Sequence, residues 1–152
     1  MFFIGLHIRF RNGHLAILVS YSVPEMNNYV QYAVILLVID RETLHEDYAR
    51  LTIQHTASVP YSVIPGTLSR LPSLELGQSL AFVTFDQTVV AVSLDKQSVF
   101  EEYAVLKQKD DMVLCTKACR REHVESAIII TKGGTILFEV DVNKIREPAI
   151  SG

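Results

Sequence analysis

The stretch at 79–94, SLAFVTFDQTVVAVSL, constrains the fold more than any other part of the chain. Two apolar arms flank a polar pair, Asp86 and Gln87. Phe82, Val83 and Phe85 precede it; Val89, Val90, Val92 and Leu94 follow. β-Branched and aromatic side chains suit a pleated surface, so the pattern predicts a β-hairpin turning at 86–87. The second arm is nearly continuous in apolar residues, whereas a strand with one wet face alternates. It is therefore expected inside a sheet covered on both faces. Neither arm holds a plausible catalytic group, so the stretch reads as scaffold.

The rest of the chain extends the pattern. At 2–10, Ile4, Leu6, Ile8 and Phe10 alternate with Gly5, His7 and Arg9, which predicts a strand whose wet face carries His7 and Arg9. Asn12-Gly13 is a strong hairpin-turn signal, because both residues tolerate positive φ. The returning strand at 14–21 sets Leu15, Ile17 and Val19 against Ala16, Leu18 and Ser20. Residues 24–28 read as a loop, 29–40 as a long strand that is apolar from Ala33, and 48–55 as a more polar strand near an edge. Beyond the central hairpin, strands are expected at 99–107, 112–118, 127–131 and 135–142, the last two joined by a Gly133-Gly134 turn.

Residues 58–78 differ. Pro60, Pro65, Pro72, Gly66 and Gly77 punctuate them. The expectation is a connection of about twenty residues, longer than most loops. Leu68, Leu71 and Leu74 are spaced three apart. They are read either as leucines docking a loop on the sheet or as one amphipathic turn contacting lipid or a partner. Arg70 alone adds basic charge, and Pro72 interrupts a helix.

The tally is some nine or ten strands and no long helix, an all-β signature. Antiparallel meanders joined by hairpins predict two to three blades of an incomplete β-propeller, with a β-sandwich as the alternative. The expected organisation is one structural unit: a first meander at 1–57, the connection at 58–78, the central hairpin with a second and third meander at 79–142, and a tail at 143–152.

Charge and composition narrow the function. With 49% hydrophobic and 20% charged residues, the 152-residue chain can bury one core. Fourteen basic residues against seventeen acidic ones argue against nucleic acid as a partner, which wants a basic face. Residues 1–6 are apolar but lack the basic region and cleavage site of a signal peptide. No run approaches the ~18 apolar residues of a membrane helix.

Chemistry-bearing residues are sparse. Cys115 and Cys119, with no disulfide framework around them, point to a reducing intracellular compartment. On a strand their Cα atoms would lie ~13 Å apart, too far to bridge or to share a metal. Neither a metal site nor a Cys–His nucleophile with His123 is expected, and no cofactor. His7, His14, His45 and His55 are expected to face solvent. Asp40, Glu42, Glu46 and Asp47 read as solvated turn charges. Lys132-Gly133-Gly134-Thr135 lacks the spacing of a phosphate loop. Lys117, Arg120 and Arg121, the one basic cluster, read as a solvated loop.

The order of a long apolar strand (29–40), a polar strand (48–55), a Pro/Leu connection (65–77), the 80–94 hairpin, a Phe-Glu-Glu-Tyr stretch and a Gly-Gly hairpin resembles part of the N-terminal β-propeller of fungal outer-ring (Y-complex) scaffold nucleoporins. The most specific piece is the Ala-Phe-Val-x-Phe-x-x-x-Val-Val-x-Val-Ser-Leu pattern at 81–94. The resemblance implies a non-enzymatic scaffold at the nuclear envelope and nuclear pore, serving nucleocytoplasmic transport with other scaffold nucleoporins as partners. In that family the propeller has seven blades, precedes a long helical stack and in some members carries a curvature-sensing amphipathic loop. This chain departs in length: it supplies two to three blades and no helical stack, as a fragment or truncated product would. Open sheet edges are then expected to self-associate. The alternative function is a small-ligand-binding sandwich or barrel.

Overall fold

The computed structural model describes residues 3–11, 13–26, 29–40, 50–95 and 100–141. They form eleven strands and one short 3-10 turn at Pro24–Met26. The fold is all-β and antiparallel, in three meandering sheets that do not close on one another. The first sheet comprises β1 (Phe3–Arg11), β2 (His14–Ser22), β3 (Val30–Asp40) and β4 (Arg50–Val63). The second comprises β5 (Ser73–Leu76), β6 (Leu80–Thr84), β7 (Thr88–Ser93) and β8 (Glu101–Val105). The third comprises β9 (Val113–Arg121), β10 (Val124–Thr131) and β11 (Gly134–Asp141).

Strand order follows chain order in every sheet, because each strand is joined to the next by a hairpin or short connection. Gly13, at φ 80°, occupies a conformation that a Cβ would penalise, and it lets β1 turn directly into β2. The β6–β7 hairpin pairs Thr84 with Val89 and Leu80 with Ser93. Its turn is closed by Phe85 N–H donating to the Thr88 carbonyl at 2.8 Å.

The second sheet is the middle layer. One face of it (Leu74, Val83, Phe85, Val90) packs on Leu18, Tyr32 and Val34 of the first sheet. Tyr32 meets the Phe85 ring edge-on at a centroid distance of 5.0 Å. The opposite face (Leu80, Phe82, Val89, Ala91) packs on Ala127, Ile129 and Phe138 of the third sheet. Every residue of β6 and β7 is buried, which explains their unbroken apolar run. Burying each such Val or Phe contributes roughly 1.5–3 kcal/mol. The first strands of the three sheets lie together, β1 against β5 and β5 against β9, so the layers share one edge.

Several boundaries differ from those expected. β4 runs on to Val63 and β5 begins at Ser73, so the connection spans only 64–72. β5 belongs to the second meander, and β1 to the first. Pro60 does not end β4, which lies at a sheet edge where a missing N–H is tolerated. β9 continues through Arg121 and turns at Glu122 and His123, with Glu122 at φ 55°. The cluster of Lys117, Arg120 and Arg121 therefore sits on a strand, not in a loop.

The phase of β1 is the main correction. A bulge between Gly5 and His7 shifts its register. His7 then pairs with Leu18 and Arg9 with Ala16, two residues of the core between the first and second sheets. Ile8 pairs with Ile17 and Phe10 with Leu15, on the opposite face. A one-residue slip moves every later side chain across a sheet, so the expected wet face points inward.

Candidate interaction surfaces

The shared edge of the three sheets carries a chain of charges. Arg9 on β1 reaches Glu75 on β5, with Nη2 3.2 Å from Oε2. Lys117 on β9 approaches the other oxygen, Nζ to Oε1, at 3.3 Å. One carboxylate thus joins the first strands of all three layers. Arg9 Nε also donates to the Leu74 carbonyl at 3.0 Å. His7 Nδ1 accepts the Leu74 N–H at 2.8 Å, so His7 faces the second sheet and not solvent. Its pKa is lowered by desolvation and by the nearby Arg9 charge, while Glu75 opposes the shift. Neutral His7 is the form that accepts a hydrogen bond.

The third sheet grips the second through Glu125. This side chain is fully buried, and it accepts the Gln78 N–H at 2.6 Å and the Ser79 N–H at 2.9 and 3.0 Å. A comparable carboxylate, Asp111, accepts Gly133 N–H at 3.0 Å, Met112 N–H at 2.8 Å and the Thr131 hydroxyl at 3.1 Å. Desolvation raises the Asp111 pKa, but these bonds and one from Lys132 N–H outweigh it, so its pKa is lowered. The Lys132–Thr135 turn is therefore a hairpin whose N–H groups already hold a side-chain carboxylate.

Leu68, Leu71 and Leu74 do not form one face. Leu74 lies on β5, 1% exposed, inside the core. Leu68 packs partly buried against that core. Leu71 is 70% exposed. A cleft of about 460 Å³ opens beside it, lined by Ile4, Leu6, Tyr32, Ile64 and Leu68 among others. A second cleft, about 620 Å³ and more polar, lies between Tyr29, Tyr61, Asp86, Lys109 and Lys132.

Cys115 and Cys119 are exposed free thiols on β9. Cys119 Sγ lies 2.9 Å from Ser126 Oγ. Among the described residues no group of three or more His, Cys, Asp or Glu side chains is placed to hold a metal ion. His45, Glu42, Glu46 and Asp47, and the Asp40 side chain, lie outside the described residues.

The largest feature missed from the sequence is the outer face of the first sheet. Phe3, Ile8, Phe10, Leu51 and Ile53 are each more than half exposed. Phe3 pairs with Tyr21, Ile8 with Ile17, and Phe10 with Leu15, all on the side away from the second sheet. Leu37 pairs with Ile53, and Ile39 with Leu51, across β3 and β4. The signal was present in β2, where both Leu15-Ile17-Val19 and Ala16-Leu18 are apolar: such a strand wants cover on both sides. No protein-family model matches the sequence, and no curated protein matches it.

Proposed function

We propose that the chain is a non-enzymatic structural and interaction module, built as part of a β-propeller-like ring and resembling the scaffold propellers of outer-ring nucleoporins. The observation that carries this reading is the layered arrangement of the three meanders. Each begins at the shared edge, runs outward strand by strand, and packs face to face on the next. Radial repetition of four-stranded meanders is the plan of a propeller. The exposed outer face of the first sheet supports an interaction role, since an apolar face of that size marks a contact surface. Its partners are proteins, other scaffold nucleoporins foremost, at the nuclear envelope.

The test is to express the tagged chain in a fungal cell, image it against the nuclear rim and purify its partners. Rim localisation together with co-purification of scaffold nucleoporins is the expected result. A diffuse signal with no such partner would end the reading.

A further inference from the structure

We infer that the cleft between the first sheet and the 64–72 connection binds a small amphiphile, its aliphatic chain lying in the cleft and its single carboxylate head on Arg70. The site is independent of the ring reading, and neither outcome of its test bears on that reading.

The floor of the cleft follows from strand register. Ile4 pairs with Ser20, and Ser20 with Tyr32, so the three stand in one row across β1, β2 and β3. Val30 and Val63 pair beyond them. Tyr32 and Val63 belong to the core between the first and second sheets, so this row lies on the inner face. Among the described residues none of β5 to β8 lines the cleft, and its other wall is the connection. The volume, about 460 Å³, is that of a small-molecule site.

The connection is a fixed wall. Gly66, at φ 82°, makes its turn, and the Thr67 N–H and hydroxyl both donate to the Ile64 carbonyl, at 3.2 and 2.6 Å. The Ser69 N–H donates to Asp86 Oδ2 at 2.8 Å, and Leu68 packs on the core. Pro65 and Pro72 restrict the backbone further. A wall held in this way is formed before a ligand arrives, which removes an ordering cost from binding.

The lining selects the ligand class. Ile4, Ile64 and Leu71 border the cleft and are each more than half exposed. Among the described lining residues Ser20, Tyr32 and Arg70 are the only polar side chains, and Arg70 is the only charged one. Arg70 is exposed, and its Nη1 donates to the Leu114 carbonyl at 3.4 Å. A guanidinium carries further N–H donors, in a fork that matches a carboxylate. A cleft whose sole charge is a cation favours an anion, and its apolar remainder favours a hydrocarbon body.

A peptide is a poorer occupant. Its amide groups need partners, and an apolar lining with so few polar side chains leaves them unpaired. A helix is too wide: two turns, ~10 Å across and ~11 Å long, fill roughly 850 Å³. An alkyl chain asks only for contact.

The experiment titrates the full chain with octanoate, nonanoate and decanoate and follows its methyl groups by NMR. Shifts are expected at Ile4, Ile64, Leu68 and Leu71, with affinity tightening ~4-fold for each added methylene. Arg70→Gln should weaken each carboxylate about 5-fold, the most that a solvent-exposed ion pair gives. Octan-1-ol should bind wild type and variant equally, because it has no charge for Arg70 to hold. Arg70 is exposed, so the variant is expected to keep the wild-type circular dichroism spectrum.

No shift at any methyl group overturns the inference. Shifts centred on Ile8 and Ile53 overturn it too, by assigning the acids to the outer face of the first sheet. An Arg70→Gln variant that binds the carboxylates as tightly as wild type overturns the placement of the head. Protein that floats with vesicles of phosphatidylcholine and phosphatidylglycerol, yet shows no shift with the monomeric acids, overturns it in favour of a bilayer.

Discussion

Both carboxylate oxygens of Glu125 accept the backbone N–H of Ser79, at 3.0 and 2.9 Å, across the boundary between the third and second sheets. The contact converts a tight turn at 77–80 into the receptor for a buried charge. Gly77 makes it possible: a Cβ there would collide with Glu125 Oε1. Glu125→Leu removes the acceptor from two N–H groups and is expected to cost about 2–4 kcal/mol in urea unfolding. Gly77→Ala is expected to cost roughly 1–3 kcal/mol by overpacking. In a Glu125→Ala background the Gly77→Ala penalty should shrink, and a double-mutant cycle reads that coupling directly. Additive penalties would show that the two sites do not meet.

Glu75 holds Arg9 and Lys117 with unequal consequences. Lys117 is three-quarters exposed where it pairs with Glu75, so Lys117→Met should change stability by less than ~0.5 kcal/mol. Arg9 also donates to the Leu74 carbonyl, and Arg9→Met should cost about 1–2 kcal/mol. Denaturant midpoints at low and high salt separate the two, since salt screens both ion pairs to Glu75 but leaves the Arg9–Leu74 hydrogen bond largely intact.

Acid should weaken the fold in two stages. His7 has a folded pKa below its ordinary 6.5, so the unfolded chain takes up the proton first. Its effect is nil well above that value. Stability falls as pH drops through 6.5 and on through the folded value, because protonated His7 no longer accepts the Leu74 N–H. Asp111 has a folded pKa below 3.8, so its contribution is complete above that value and is lost as pH falls through the folded one. Urea midpoints measured between about pH 8 and pH 5 should decline for wild type and flatten for His7→Asn. An equal slope in the two proteins would assign the first stage to other groups.

Glu122 turns β9 into β10 with φ 55°, a conformation glycine adopts without strain. Glu122→Gly should therefore stabilise the protein by about 0.5–1 kcal/mol, visible as a raised denaturation midpoint. A lowered midpoint would show that the Glu122 side chain contributes more than its backbone costs.

Phe82 and Leu71 form a control pair of large apolar residues. Phe82 is wholly buried and meets Phe138 edge-on at 5.9 Å, so Phe82→Ala should cost about 3–5 kcal/mol. Leu71 is exposed, and Leu71→Ser should stay within ~0.5 kcal/mol of wild type. Thermal melts of the two variants check both values.

The class of fold and most strands were legible because period and turn chemistry are local. The Asn12-Gly13 and Gly133-Gly134 signals mark the β1–β2 and β10–β11 turns, and the nearly continuous apolar arm from Val89 to Leu94 announced a strand covered on both sides, which is β7. Misreadings occurred where local cues were weak. The Glu122–His123 turn contains neither Gly nor Asn, and its φ is imposed by the strands it joins. Ser73–Leu76 reads as the end of a Pro-rich connection, yet it pairs with β6 because Leu74 finds a place in the core.

The residues by themselves determined an all-β chain of antiparallel meanders, a two-sided hydrophobic hairpin at its centre, and thiols too far apart to bridge. Alternation, turn propensity and rise per residue are properties of the chain at short range. Only the tertiary structure decided which face of β1 is inside, that Leu68, Leu71 and Leu74 have three different environments, and that Arg9, Glu75 and Lys117 meet. Those outcomes depend on one bulge and on how three sheets stack, and no local preference specifies either.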